Sequence, residues 1–209
     1  MKIKWIVFDM MGVLFKDKDD VKACLIPFLR ENQIKESDNT IYQKYISASL
    51  GNIKSKKFWE YFKLSNLDQE YLDIKLKYDS KSLDVVKRFK ENFHFGIISN
   101  DLSEWSIYLR KKYGIADWIS ISIISGDVGI RKPDKGIYNI FLEKANISPQ
   151  ECIFIDDNIK NLLPAKKIGF QCILFAVGQH SCTHFHESQF SENDSGVQNR
   201  NFRRQGIIR

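Results

Sequence analysis

No apolar run in this chain approaches the length that crosses a bilayer, so a membrane-spanning protein is not expected. A secretory leader is not expected either, because Asp9 interrupts the N-terminal apolar run and no small-residue cleavage site comes after it. Cysteine is sparse and scattered. Cys24, Cys152, Cys172 and Cys182 show neither CxxC spacing nor a dense framework, which argues against a disulfide scaffold. Cys152 and Cys172 lie in strand-like runs and read as buried thiols. A reducing compartment, the cytoplasm, is therefore expected. Missing as well is the basic–aromatic array of a nucleic-acid binder. The formal charge of +6 then reads as solvated lysine-rich helix faces, compatible with an anionic substrate. Neither nucleic acid nor a membrane is an expected partner, and no residue pattern sets an oligomeric state.

What is present fits one domain with an insertion, since 209 residues at 43 % hydrophobic content can bury a sizeable core. The run Trp5-Ile6-Val7-Phe8 ends in Asp9, and Gly12 stands in the turn after it. An apolar run bounded by a turn suits a strand buried on both faces. Its C-terminal end is where an open α/β sheet places ligands.

After a polar exit at 16–20, with Asp20 able to cap the next helix, residues 21–30 carry a helical apolar face that Pro27 should break. Residues 40–79 read as lysine-rich helices. Ile41, Tyr45 and Ile46 form one face, Phe58, Tyr61 and Phe62 another, and Gly51-Asn52 separates them. From residue 82 helices and strands alternate. Strands are expected at 93–99, 119–125, 152–155 and 171–175, with Ser103 capping a helix between the first two and Pro164 distorting the last helix. The fold class is therefore α/β: a Rossmann-like parallel five-stranded sheet with helices on both faces and a small α-helical cap inserted after strand one. The core is expected at 1–15 and 80–178, the cap at 16–79. Residues 179–209 form a polar tail without hydrophobic period, expected to be poorly ordered. Its His180, Cys182, His184 and His186 complete no closed zinc site.

Four stretches then stand in order: Phe8-Asp9-Met10-Met11-Gly12, Ile97-Ile98-Ser99-Asn100, Arg131-Lys132-Pro133-Asp134 and Ile155-Asp156-Asp157-Asn158. Together they resemble the four motifs of the haloacid dehalogenase-like hydrolase superfamily, in its phosphatase-type branch. The resemblance implies that Asp9 is the nucleophile that becomes an aspartyl-phosphate. It assigns Ser99 and Asn100 to the phosphoryl oxygens and Lys132 to balancing charge between nucleophile and phosphate. Asp156 and Asp157, with Asp9 and the Met11 backbone carbonyl, would form an all-oxygen site suited to Mg²⁺. Asn161 matches a polar residue that orients a ligand.

One position departs from the pattern. Phosphatases of this type usually carry a second Asp two residues after the nucleophile, which protonates the leaving oxygen and then activates water; Met11 can do neither. Such a loss costs on the order of 10²–10⁴ in rate where nothing replaces it. The leading reading is a Mg²⁺-dependent phosphohydrolase acting on a small phosphorylated metabolite, slowed by Met11. The alternative is a catalytically impaired relative kept for binding a ligand or partner. A 2-haloacid dehalogenase is a minor alternative, because such enzymes need no metal and do not usually keep an Asp-Asp pair.

Overall fold

A computed structural model of the chain describes residues 2–65, 67–175 and 183–184. Strand β1 (Trp5–Phe8) lies in the middle of the sheet. It is flanked by β2 (His94–Ser99) on one side and β4 (Cys152–Asp156) on the other. β3 (Ile121–Ile124) and β5 (Gln171–Leu174) lie outside them. All five strands pair in parallel, as alternation of strands and helices requires. A two-residue strand β6 (Thr183–His184) adds an antiparallel edge to β5, which the five-strand expectation did not include. The rest of the 179–209 tail lies outside the described residues.

β1 alternates strictly. Ile6 and Phe8 join one apolar cluster and Trp5 and Val7 another, so the sheet has a packed core on each face. Register then aligns the strand ends. Phe8 pairs with Ile97 and with Ile155, so Asp9, Ser99 and Asp156 emerge along one edge. β1 has neighbours reached in opposite directions, which makes this edge the switch point where open α/β sheets bind ligands.

Between β1 and β2 the chain leaves and returns through a two-stranded neck. The Lys16 N–H donates to the Lys77 carbonyl at 2.9 Å and the Asp79 N–H to the Leu14 carbonyl at 2.8 Å. A π-helical turn at Val21–Leu25 gives way to α1 (Ile26–Glu31). Pro27 stands at the start of α1, where a missing N–H is tolerated. Helices α2 (Asp38–Ser49), α3 (Ser55–Tyr61) and α4 (Asp68–Lys75) come next. α2 and α3 are separated at Gly51, whose φ is +76°. The expected faces hold with one correction: Tyr61 is exposed, with the Lys44 ammonium 3.9 Å above its ring, and Trp59 is buried beside Phe58 instead.

Past the insertion, α5 (Lys81–Phe89) precedes β2, and α6 (Ser103–Lys112) links β2 to β3. Leu102, not Ser103, is the N-terminal cap residue of α6, without a side-chain bond. A short α7 (Ser125–Val128) and α8 (Lys135–Ala145) lead to β4. α9 (Ile159–Ile168) runs on through Pro164 and stops at Gly169, φ +119°. Trp105 of α6 meets Phe58, Trp59 and Tyr71 of the insertion at ring distances of 5.7, 5.9 and 5.0 Å. Both indole N–H groups, of Trp59 and Trp105, donate to Asp68 Oδ1 at 2.9 and 2.5 Å. The insertion and the sheet domain thus share one apolar cluster.

Candidate active site

Asp9 is the first residue beyond β1 and is nearly buried. Its backbone N–H extends the sheet by donating to the Ile155 carbonyl at 2.9 Å. Its Oδ1 accepts from the Met10 N–H at 2.7 Å and the Ser99 hydroxyl at 3.0 Å. The Lys132 ammonium lies 2.8 Å from the same oxygen. One oxygen is therefore saturated and fixed, which orients the carboxylate.

Lys132 is fully enclosed and reaches a second carboxylate, Asp156 Oδ2, at 2.7 Å. Burial pulls the ammonium toward neutrality, but Asp156 and Asp9 outweigh it and hold its pKa above the ordinary lysine value. Its backbone is clamped by Asn100. Asn100 Oδ1 accepts the Lys132 N–H at 2.7 Å and Nδ2 donates to the Lys132 carbonyl at 3.0 Å. The Asn100 side chain thus positions Lys132. Ser99 likewise spends its hydroxyl on Asp9.

Asp156 has no exposed surface. The Asn161 amide donates to both of its oxygens, at 3.1 and 3.0 Å, and the Asn158 N–H to Oδ1 at 2.8 Å. Asn161 thus orients this carboxylate. Asp157 sits beside it against Gly12, whose φ of +77° and missing side chain admit the carboxylate. Carboxylate oxygens of Asp9, Asp156 and Asp157 lie within 4.8 Å of one another. Burial pushes the Asp9 carboxyl up to about 8, with Lys132 opposing and Asp156 adding to the rise. Burial and Asp156 raise Asp157 to about 6. Three carboxylates sharing one buried ammonium leave an excess of negative charge, and hard oxygen donors so placed fit a divalent cation such as Mg²⁺.

The edge opens into a cavity of about 390 Å³, lined by Asp9, Met11, Asp157 and Asn161 on the sheet side. The structure therefore gathers Asp9, Met11, Asn100, Lys132, Asp156, Asp157 and Asn161 in one place, with Ser99 behind Asp9. Sequence reasoning gave no site role to several further residues of this wall, Asp20, Tyr45 and Arg131 among them. Arg131 could have been found by its adjacency to Lys132. Asp20 was expected to cap a helix. In fact its neighbour Asp19 accepts the Lys22 N–H at 3.1 Å, and Asp20 makes no side-chain cap.

A fixed carboxylate, a buried lysine and an acidic pair stand at the switch point of a parallel sheet, an arrangement that fits a hydrolase of the α/β type. The chain belongs to the haloacid dehalogenase-like hydrolases, whose family model matches residues 3–169. Among characterised proteins it is similar to glyceraldehyde 3-phosphate phosphatase of Pyrococcus furiosus, 28 % identical over 46 % of this chain and 41 % of the relative. It is also similar to drimenol cyclase of Aspergillus calidoustus, 27 % identical over 48 % of this chain and 20 % of the relative. The chain thus spans less than half the length of either. Its fold is similar to that of a HAD family enzyme of Bacteroides thetaiotaomicron solved with magnesium and inorganic phosphate. That match has a TM-score of 0.68 at 19 % identity, covering 85 % of this chain and 96 % of that one.

Proposed function

We propose that this chain is a Mg²⁺-dependent phosphatase that hydrolyses a small phosphorylated metabolite through an aspartyl-phosphate on Asp9. The observation that carries the reading is the fixed Asp9 carboxylate beside Lys132 and the Asp156–Asp157 pair. A phosphatase among its relatives and a magnesium- and phosphate-bound structural neighbour support it.

In this reading the free oxygen of Asp9 attacks phosphorus while Ser99 and Lys132 hold the other oxygen in place. Lys132 and the Asn100 N–H meet the phosphoryl oxygens. Mg²⁺ held by Asp9, the Met11 carbonyl, Asp156 and Asp157 would screen the repulsion between phosphate and carboxylate. Residues 16–79 act as the cap that roofs the cavity and limits the substrate to a small one. The three described cysteines are free and buried, which agrees with a reducing, cytoplasmic setting. Among the described residues no helix is long and apolar enough to cross a membrane.

The test is phosphate release from aryl, sugar and nucleotide phosphates, with Mg²⁺ and with chelator, for the native chain and Asp9→Asn. Chelator-sensitive release that vanishes in the variant is expected. Release unchanged in Asp9→Asn would sink the mechanism. A second reading, a ligand-binding protein without turnover, is favoured by Met11; it predicts Mg²⁺- or phosphate-dependent thermal stabilisation with no release above blank.

A further inference from the structure

Met11 has no proton to give and lines the cavity where the leaving oxygen must be protonated. Few other groups on that wall could serve. Arg131 does not release its proton. Burial and Asp20 push the Tyr45 hydroxyl well above its ordinary value. Lys132 is committed to Asp9 and Asp156. Asp19 is exposed and spends an oxygen on Lys22. Lys18, Tyr42 and Lys160 are exposed and Asp157 belongs to the carboxylate cluster, which leaves Asp20, a cavity-lining carboxyl only 8 % exposed.

We propose that Asp20, entering the cavity from the inserted segment, is the general acid and base that position 11 lacks; the proposal rests on the phosphatase reading above. Tyr45 of α2 holds it. The Tyr45 hydroxyl lies 3.2 Å from the Asn100 carbonyl and 3.4 Å from Asp20 Oδ2. The hydroxyl is the donor in both contacts, so its proton is shared between the Asn100 carbonyl and the Asp20 carboxyl oxygen. This contact fixes where Asp20 sits and ties it to the residue after Ser99. Burial and Asp19 raise Asp20 to about 6 against the pull of Arg131 and the Tyr45 hydrogen bond, and Asp20 in turn helps raise Asp101, beyond β2. In the first step Asp9 bonds to phosphorus, the bond from phosphorus to the ester oxygen breaks, and that oxygen takes the Asp20 proton. In the second, water adds to phosphorus and gives its proton to the Asp20 carboxylate. The Asp9–phosphorus bond breaks, and alcohol and inorganic phosphate are the net products.

The experiment compares kcat/KM for phenyl phosphate and 4-nitrophenyl phosphate in the native chain, Asp20→Asn and Met11→Asp/Asp20→Asn. This ratio reports steps through departure of the leaving group, and the two esters differ mainly in how much they need an acid. Asp20→Asn is expected to lose about 10²–10⁴-fold on phenyl phosphate and far less on 4-nitrophenyl phosphate, which also shows that the variant folds. The native decline in phenyl phosphate kcat/KM as pH rises through about 6 should flatten in the variant, and Met11→Asp should restore the phenyl ester rate. Equal loss on both esters, or no loss, overturns the proposal while leaving the phosphatase reading intact. A native chain inactive on both overturns both.

Discussion

Gly12 and Asp157 occupy space that only one of them could fill with a side chain: a Cβ on Gly12 would stand 2.5 Å from Asp157 Cγ. The carboxylate reaches the cluster because residue 12 is glycine. Gly12→Ala is expected to push Asp157 out and to strain a backbone at φ +77°, costing about 1–3 kcal/mol of stability. Calorimetric titration should show Mg²⁺ binding weakened in the variant. Affinity equal to that of the native chain would break the link between the turn and the cation.

Lys132 is the one cation in direct contact with both Asp9 and Asp156 among the described residues. Lys132→Met leaves these carboxylates buried without it. The metal-free variant should lose about 3–5 kcal/mol in urea denaturation, and Mg²⁺ should recover part of the loss. A stability unchanged by the substitution would mean that water reaches the carboxylates freely.

Asp20 predicts a pH dependence without any assay of turnover. Its carboxyl is raised from 3.8 to about 6, so between those values the folded chain holds a proton that the unfolded chain has released. Stability contributed by this group is therefore present at low pH and falls as pH rises through that window, by about 3 kcal/mol in all. Other raised carboxyls add to the native slope. Denaturation at pH 4 and pH 7 should show a smaller difference in Asp20→Asn than in the native chain. Identical differences would count against a neutral Asp20.

Asp68→Ala removes the acceptor shared by Trp59 and Trp105, both wholly enclosed. Two indole N–H groups then lose a charged partner, for an expected cost of about 2–4 kcal/mol. The loss should appear in the unfolding midpoint monitored by tryptophan fluorescence. A midpoint indistinguishable from native would show that the indoles find other acceptors.

The sheet was legible because each of its strands is a short apolar run that a turn or helix start cuts off. Asp9 and Asp156 were legible for a related reason, since a carboxylate directly after such a run lands on the ligand edge by register alone. Lys132 was marked by its Pro-Asp neighbours. Asp20 was not legible, because adjacent carboxylates at 19 and 20 are interchangeable in sequence and only the π-helical turn decides which one caps. Tyr45 counted as part of an apolar helix face, and its ring does pack that way, 6.2 Å from Trp105; the hydroxyl at its far end acquires partners only through the tertiary fold. Asn100 resembled a phosphate ligand, yet its amide is consumed by the Lys132 backbone, a contact across 32 residues that local pattern does not encode.

The aromatic seam between α6 and the inserted helices bears on how a substrate gets in. A lid that swings must part from the body along a surface that water can wet cheaply. Here parting would expose Phe58, Trp59, Tyr71 and Trp105 together, each with almost no surface in water, and would break the bond from the Trp105 indole to Asp68. Under the proposed function the doorway would then be a fixed aperture, sorting molecules at its rim by size and charge before chemistry begins.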